Sequence, residues 1–242
     1  NIAGVTNMLG VGKHMQYRTV PEIIDLAKKN PGKLTYASAG NGTSQHLAAE
    51  LFKKMAGINI LHVPYRGGAP AIQDMISGNC DMMFGNMPEF LGQINGGGLI
   101  PVAFGSPKPS PLFPNLPLMS KFLPGFQVVN WFGVFGSKGL PADLIDFWNK
   151  ALRAAVAKPD VQKRFAESGM DTIIGSAAEF KAIIMADRKK WEEVIKVAGM
   201  RADDGDTEDA VLARLGEHLH EAVGGAVGDG AVEVVDAVAR DL

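Results

Sequence analysis

The chain has 242 residues, 46% of them hydrophobic and 21% charged, with one cysteine and a formal net charge of −2. That composition suits a folded protein of one large or two small domains and excludes wholesale disorder and collagen-like repeats. No apolar run is long enough for a membrane span, Cys80 has no partner for an internal disulfide, and no Cys/His cluster has zinc spacing.

In chain order, residues 1–13 show no basic n-region followed by an apolar stretch, so no signal peptide is read there. A chain opening on Asn1 has either been processed or is a fragment. Thr19-Val20-Pro21-Glu22 reads as a capping box opening a helix that must stop by Asn30, before Pro31. Residues 33–37 are β-prone and run into Ser38-Ala39-Gly40-Asn41-Gly42-Thr43-Ser44, after which Leu47, Leu51 and Met55 fall at helical spacing. The strand, small-residue loop and helix pattern then recurs. Residues 58–65 read as strand and 70–76 as helix, with Gly78 as its stop; 81–85 read as strand, 88–94 as helix and 99–105 as strand. Strands alternating with helices predict a parallel sheet of βαβ units.

Residues 106–125 carry six prolines and read as an extended connection. Residues 128–135 are strand-like, Pro141 starts a helix bearing Leu144, Ile145, Trp148 and Leu152, and 160–168 form a short helix stopped by Gly169. Ser176-Ala177-Ala178-Glu179 is a second capping box, opening a long helix that ends before Gly199. From residue 205 onward there are two arginines and nine acids, a net −7 that leaves the rest of the chain at +5. In that tail Val211, Leu215, Leu219 and Val223 predict a helix as far as Ala222.

The 38–44 segment is the most informative. A glycine-rich loop entering a helix presents free amide hydrogens and the positive end of the helix dipole, which suits a carboxylate or phosphate. Ser38, Thr43 and Ser44 can add hydroxyl hydrogen bonds. The same loop could equally be a tight turn with Thr43 or Ser44 as cap. It lacks the third glycine of a dinucleotide fingerprint and the Gly-Lys-Ser/Thr of a P-loop. Residues 36–40 approach a hydrolase nucleophile elbow, with Ser38, His62 and Asp81 as nominal triad, but Tyr36 stands where the first glycine belongs and the chain order is wrong.

Tyr65 and Arg66 would lie at a second strand end, where open sheets bind ligands; packing for Tyr65 and solvation for Arg66 are the bland alternatives. Asn86, at a third strand end, could bind a ligand or cap the next helix. His46 is read as bonding the backbone, and Trp131 and Phe132 could wall a pocket or pack in the core.

The run Pro31-Gly32-Lys33-Leu34-Thr35-Tyr36-Ala37-Ser38-Ala39-Gly40, then Gly42-Thr43, His46-Leu47-Ala48 and Glu50-Leu51-Phe52, resembles the Bug-type (TctC-like) family. These are substrate-binding proteins of tripartite tricarboxylate transporters. His62-Val63-Pro64-Tyr65-Arg66-Gly67-Gly68-Ala69-Pro70-Ala71, Trp131-Phe132-Gly133-Val134-Phe135 and the 179–199 helix continue the resemblance. It implies an α/β fold like type II periplasmic binding proteins, with a parallel-rich sheet flanked by helices, no catalysis, no metal and no cofactor. It also implies a small carboxylate ligand (dicarboxylate, tricarboxylate or amino acid), membrane permease subunits as partners, no nucleic acid, and a periplasmic location. By resemblance, Ser38, Ala39, Gly40, Gly42, Thr43 and Ser44 form one carboxylate clamp, and Tyr65 and Asn86 line the pocket.

Three features depart from the family. Its first clamp and most of its first domain are absent, residues 1–14 do not read like its crossover strand, and the acidic tail has no counterpart. The expected organisation is an atypical segment 1–14, a second (ligand-clamp) domain 15–128, the C-terminal part of an incomplete first domain 129–204, and a tail 205–242.

Overall fold

The computed structural model describes residues 1–137 and 139–200; the 205–242 tail, with the helix predicted in it, lies outside the described residues. Five strands, β1 (Ala3–Gly12), β2 (Thr35–Ser38), β3 (Leu61–Pro64), β4 (Met82–Asn86) and β5 (Leu99–Phe104), lie in the order β3-β2-β4-β1-β5. Helices α1 (Val20–Lys29), α2 (Ser44–Ala56), α3 (Gly68–Ser77) and α4 (Met87–Asn95) connect them. β2 pairs in parallel with β3 and β4, whereas β1 runs antiparallel to β4 and β5. β2 to β5 therefore point one way, and their carboxyl ends share one edge.

After β5 the chain runs through one 3-10 turn (Met119–Lys121) into β6 (Val129–Phe132), α5 (Ala142–Val156), α6 (Pro159–Glu167), β7 (Met170–Thr172) and α7 (Ala177–Ala198). Local chemistry places the ends of these helices. Thr19 and Ser176 form capping boxes with Glu22 and Glu179, and Gly78 and Gly199 close α3 and α7 in the left-handed conformation.

The N-terminal segment corrects the sequence reading. Residues 1–14, set apart as unlike a crossover strand, contain β1, and all ten residues of β1 are buried. Ala3–Thr6 pair with β6 and Ala3–Val5 with β7; Asn7 onward pairs with β4 and β5. β1 is thus the spine joining two sets of strands. A strand enclosed on both faces loses the alternation that marks a half-exposed one. Its glycines are filled from outside: a Cβ on Gly4 would lie 2.3 Å from Ile173, and one on Gly10 2.8 Å from the Phe90 ring.

Period-two alternation along β1 and β4 sorts the core into two layers. Leu9, Val11, Met82 and Phe84 join Leu47 and Phe52 of α2 and Val194 and Ile195 of α7. Met8, Met83 and Phe104 join Met75 of α3 and Phe90 of α4. α7 thereby ties the end of the described chain to α2, with Lys54 and Glu193 paired at 2.6 Å over the seam. Of the apolar stripe predicted on α5, Leu144, Ile145 and Trp148 are exposed, as is Phe147 beside them, and Leu152 is half-buried.

Candidate ligand site at the carboxyl edge of the sheet

β2 ends on Ser38, and the chain turns through residues 39–43 before α2 begins with Thr43 as its N-cap. Gly40 (φ +133°) and Gly42 (φ +78°) hold backbone conformations that side chains resist, which is why this turn needs both glycines. The loop is fastened to the end of β3, since Tyr65 N–H donates to Ser38 O at 3.0 Å and Gly67 N–H to Ala39 O at 3.2 Å.

The amide accounting differs from the sequence expectation for the clamp. Gly40 N–H donates to Ser38 Oγ (3.2 Å) and Gly42 N–H to His46 Nδ1 (3.2 Å). Thr43 Oγ1 donates to Gly40 O at 2.8 Å. The two glycine amides expected to face an anion are therefore engaged within the loop, because His46, one turn into α2, reaches back to it. Helix geometry leaves the Ser44 and Gln45 N–H groups without intrahelical acceptors, so the dipole end of α2 still faces this edge.

Behind the loop lies a buried polar network. Ser38 Oγ is 2.6 Å from His62 Nε2, and His62 stacks on His46 with ring centroids 3.9 Å apart. Tyr36 donates to Glu50 Oε1 at 2.5 Å, and Lys53 Nζ donates to the same oxygen at 2.6 Å. His46 accepts at Nδ1, so its hydrogen sits on Nε2, 3.9 Å from Glu50. Burial lowers the His46 pKa from 6.5 to about 3, with the charges of His62 and Lys53 adding.

The nominal triad is not assembled. Asp81 accepts from the Thr35 N–H and hydroxyl at 2.7 and 2.9 Å and sits 3.3 Å from His14. Ser38 is fully buried, and Gly40 O lies at 3.1 Å to take its single hydroxyl hydrogen. A fully buried Ser38 hydroxyl is out of reach of a substrate carbonyl, whichever of Ser38 and His62 donates.

The third strand end brings in residues that the sequence reading did not name. Asn130 of β6 donates from Nδ2 to Ser44 Oγ (3.1 Å) and to Asn86 Oδ1 (2.5 Å), linking two of the predicted ligand residues. Asn86 Nδ2 donates to Glu89 Oε1 at 3.1 Å, and Gln45 Nε2 to Glu89 Oε2 at 3.4 Å. Burial raises the Glu89 pKa, and the bonds from Asn86 and Gln45 oppose the rise. A lone polar residue within the β-prone run Val129-Asn130-Trp131-Phe132 was the available signal for Asn130. Tyr65 directs its hydroxyl hydrogen to Asp74 at 2.7 Å, and Arg66 is exposed.

Of the two roles left open for Trp131, it takes the pocket wall; it is half-buried and lies outside the core. It meets Phe180 edge-on at 4.8 Å, donates to Asp187 at 2.9 Å, and walls a cavity of about 160 Å³ with Val129, Ile183 and Lys190. None of the eight predicted ligand residues lines that cavity.

Residues 1–200 match the family described as "Tripartite tricarboxylate transporter family receptor". The chain belongs to that family. A Pseudomonas knackmussii relative, "UPF0065 protein in clcB-clcD intergenic region", is 33% identical over 159 residues, covering 65% of this chain and 94% of the relative. A second relative, from Pseudomonas sp. strain P51, is 33% identical over 195 residues, 80% of this chain. The chain spans 58% of that relative's length. Among solved structures, "R. palustris Rpa4515 with adipate" matches with a TM-score of 0.76 at 30% identity, covering 83% of this chain and 68% of that one. "Structure of periplasmic binding protein BugD" matches at 0.73 and 29%, covering 84% and 69%. Fold and family are those of solute-binding proteins, as the Bug-type resemblance implied.

Proposed function

We propose that this chain carries one carboxylate clamp of an extracytoplasmic solute-binding protein, which delivers its ligand to the membrane subunits of a tripartite tricarboxylate transporter in the periplasm. The observation that carries the reading is convergence. The 38–44 loop, Asn86 and the start of α2 meet at one sheet edge, and Asn130 reaches them from β6. In this reading residues 15–128 form the clamp domain, 129–204 belong to the other domain, and β1 runs between the two. A relative's adipate complex supports a small dicarboxylate ahead of a tricarboxylate or an amino acid. The anion is held by the first amides of α2 and the Ser44 hydroxyl, whose oxygen accepts from Asn130, together with Asn86.

One clamp alone leaves much of a ligand hydrated, so binding by this chain is expected in the millimolar range. A ¹⁵N NMR titration with adipate and succinate checks this: shifts should gather on residues 38–45, 65, 86 and 130. Shifts scattered over the surface lysines, or none, would reject the site.

The short Ser38–His62 contact is the observation favouring an acyl hydrolase instead. With Ser38 fully buried, p-nitrophenyl acetate turnover by Ser38→Ala is expected to equal that of the unmodified chain. A loss of turnover in the variant would restore the hydrolase.

A further inference from the structure

Glu89 stands in the first turn of α4, where a carboxylate suits the helix dipole. That place does not account for its side-chain partners. Its two oxygens take hydrogens from Asn86 Nδ2 at 3.1 Å and from Gln45 Nε2 at 3.4 Å, and the Asn86 backbone N–H acts on the same group. All three are donors, which suits the ionised form, an acceptor at both oxygens. A carboxylate behind a site read as holding an anion is unfavourable by charge alone, since like charges repel.

The direction of the bonds supplies a reason for it. An amide can turn end for end, and only its partners decide which end is which. Glu89 only accepts, so it holds Asn86 with Nδ2 toward itself and leaves Oδ1 to face β6. Asn86 Oδ1 also only accepts, and Asn130 Nδ2 answers it at 2.5 Å. The same Nδ2 donates to Ser44 Oγ at 3.1 Å, and the Ser44 hydroxyl hydrogen has no acceptor among the described residues. We propose that Glu89 is a positioning residue of the clamp: through Asn86 and Asn130 it makes Ser44 a donor toward the anion; this rests on the carboxylate-clamp reading above. With Asn86 reversed, its Nδ2 would face Asn130 and draw Asn130 Oδ1 into the seam, where that oxygen would take the Ser44 hydrogen. Ser44 would then set a lone pair against the carboxylate. Glu89 thus trades a weak repulsion at a distance for the right sign at a direct contact.

The test is a double-mutant cycle read by ¹⁵N NMR titration of the full chain with adipate. Lysine only donates, so Glu89→Lys forces the reversal. An added positive charge by itself strengthens anion binding, whereas the reversed relay should weaken it about tenfold, the worth of one hydrogen bond to a charged group. In Ser44→Ala, where the relay has no hydroxyl to set, the same substitution should leave affinity unchanged or improve it. Glu89→Gln, which allows both directions, should lose about twofold, again only while Ser44 is present, and keeps the test open if the lysine chain does not fold. Without any ligand, NOEs from the Asn130 side-chain amide hydrogens to Ser44 Hβ should be strong in the unmodified chain and lose most of their intensity in Glu89→Lys. Binding by Glu89→Lys that equals or exceeds that of the unmodified chain, a loss that persists in Ser44→Ala, or unchanged NOEs overturns the role of Glu89. Absence of any adipate shift in the unmodified chain overturns the carboxylate reading, and this role with it.

Discussion

Acidification from pH 7 to pH 4 is expected to cost the unmodified chain on the order of 3 kcal/mol more unfolding free energy than it costs His46→Asn. The folded chain holds His46 neutral, with its pKa lowered from 6.5 to about 3 chiefly by burial. Above pH 6.5 neither state binds the proton and this group contributes nothing to the pH slope. As pH falls from 6.5 toward 3 the unfolded chain takes up a proton that the folded chain refuses, so stability is lost across that window. Asparagine cannot titrate there, and its Oδ1 can replace Nδ1 as acceptor for Gly42 N–H. His46→Gln, whose polar atoms sit nearer the Nε2 position, should also lose the slope but leave Gly42 unbonded. Urea unfolding at several pH values reads all three chains. Parallel stability curves for the unmodified chain and His46→Asn would refute the buried neutral imidazole.

Phe90→Ala should destabilise the fold by about 3–5 kcal/mol, the usual cost of emptying a fully buried aromatic site. Phe90 lies over two glycines on neighbouring strands: Cβ atoms built on Gly10 and Gly85 would come within 2.8 and 2.3 Å of its ring. The ring thereby seats α4 on β1 and β4, just below the edge that carries Asn86. The contact predicts a sign reversal. Gly85→Ala should destabilise the unmodified chain, yet stabilise Phe90→Ala by filling part of the space left behind. A double-mutant cycle by denaturant unfolding measures this, and additive effects would mean that the ring and the glycine do not share the space.

The binding expectation belongs beside these two. The chain spans 58% of the P51 relative, and the apolar stripe of α5 stands exposed. If the clamp is one of two, affinity depends on a second wall as much as on the residues described here. Stability of the layers around β1 is a separate matter, because α7 packs Trp191, Val194 and Ile195 into the core beside α2.

Local chemistry in the sequence determined most of the elements and their ends. Thr19 and Ser176 with their glutamates fixed two helix starts, and Gly78 and Gly199 fixed two stops, because capping and left-handed glycine act within a few residues. The alternation of short strands and helices between residues 35 and 104 was legible for the same reason, as was the loop at residues 38–44. What only the tertiary structure decided depends on contacts between distant segments. β1 is buried on every side and carries glycines filled by Phe90 and Ile173, so no periodicity announced it. His46 reaching back to Gly42 redirected the clamp amides, and Asn130 reached Ser44 and Asn86 through strand pairings that no local pattern encodes.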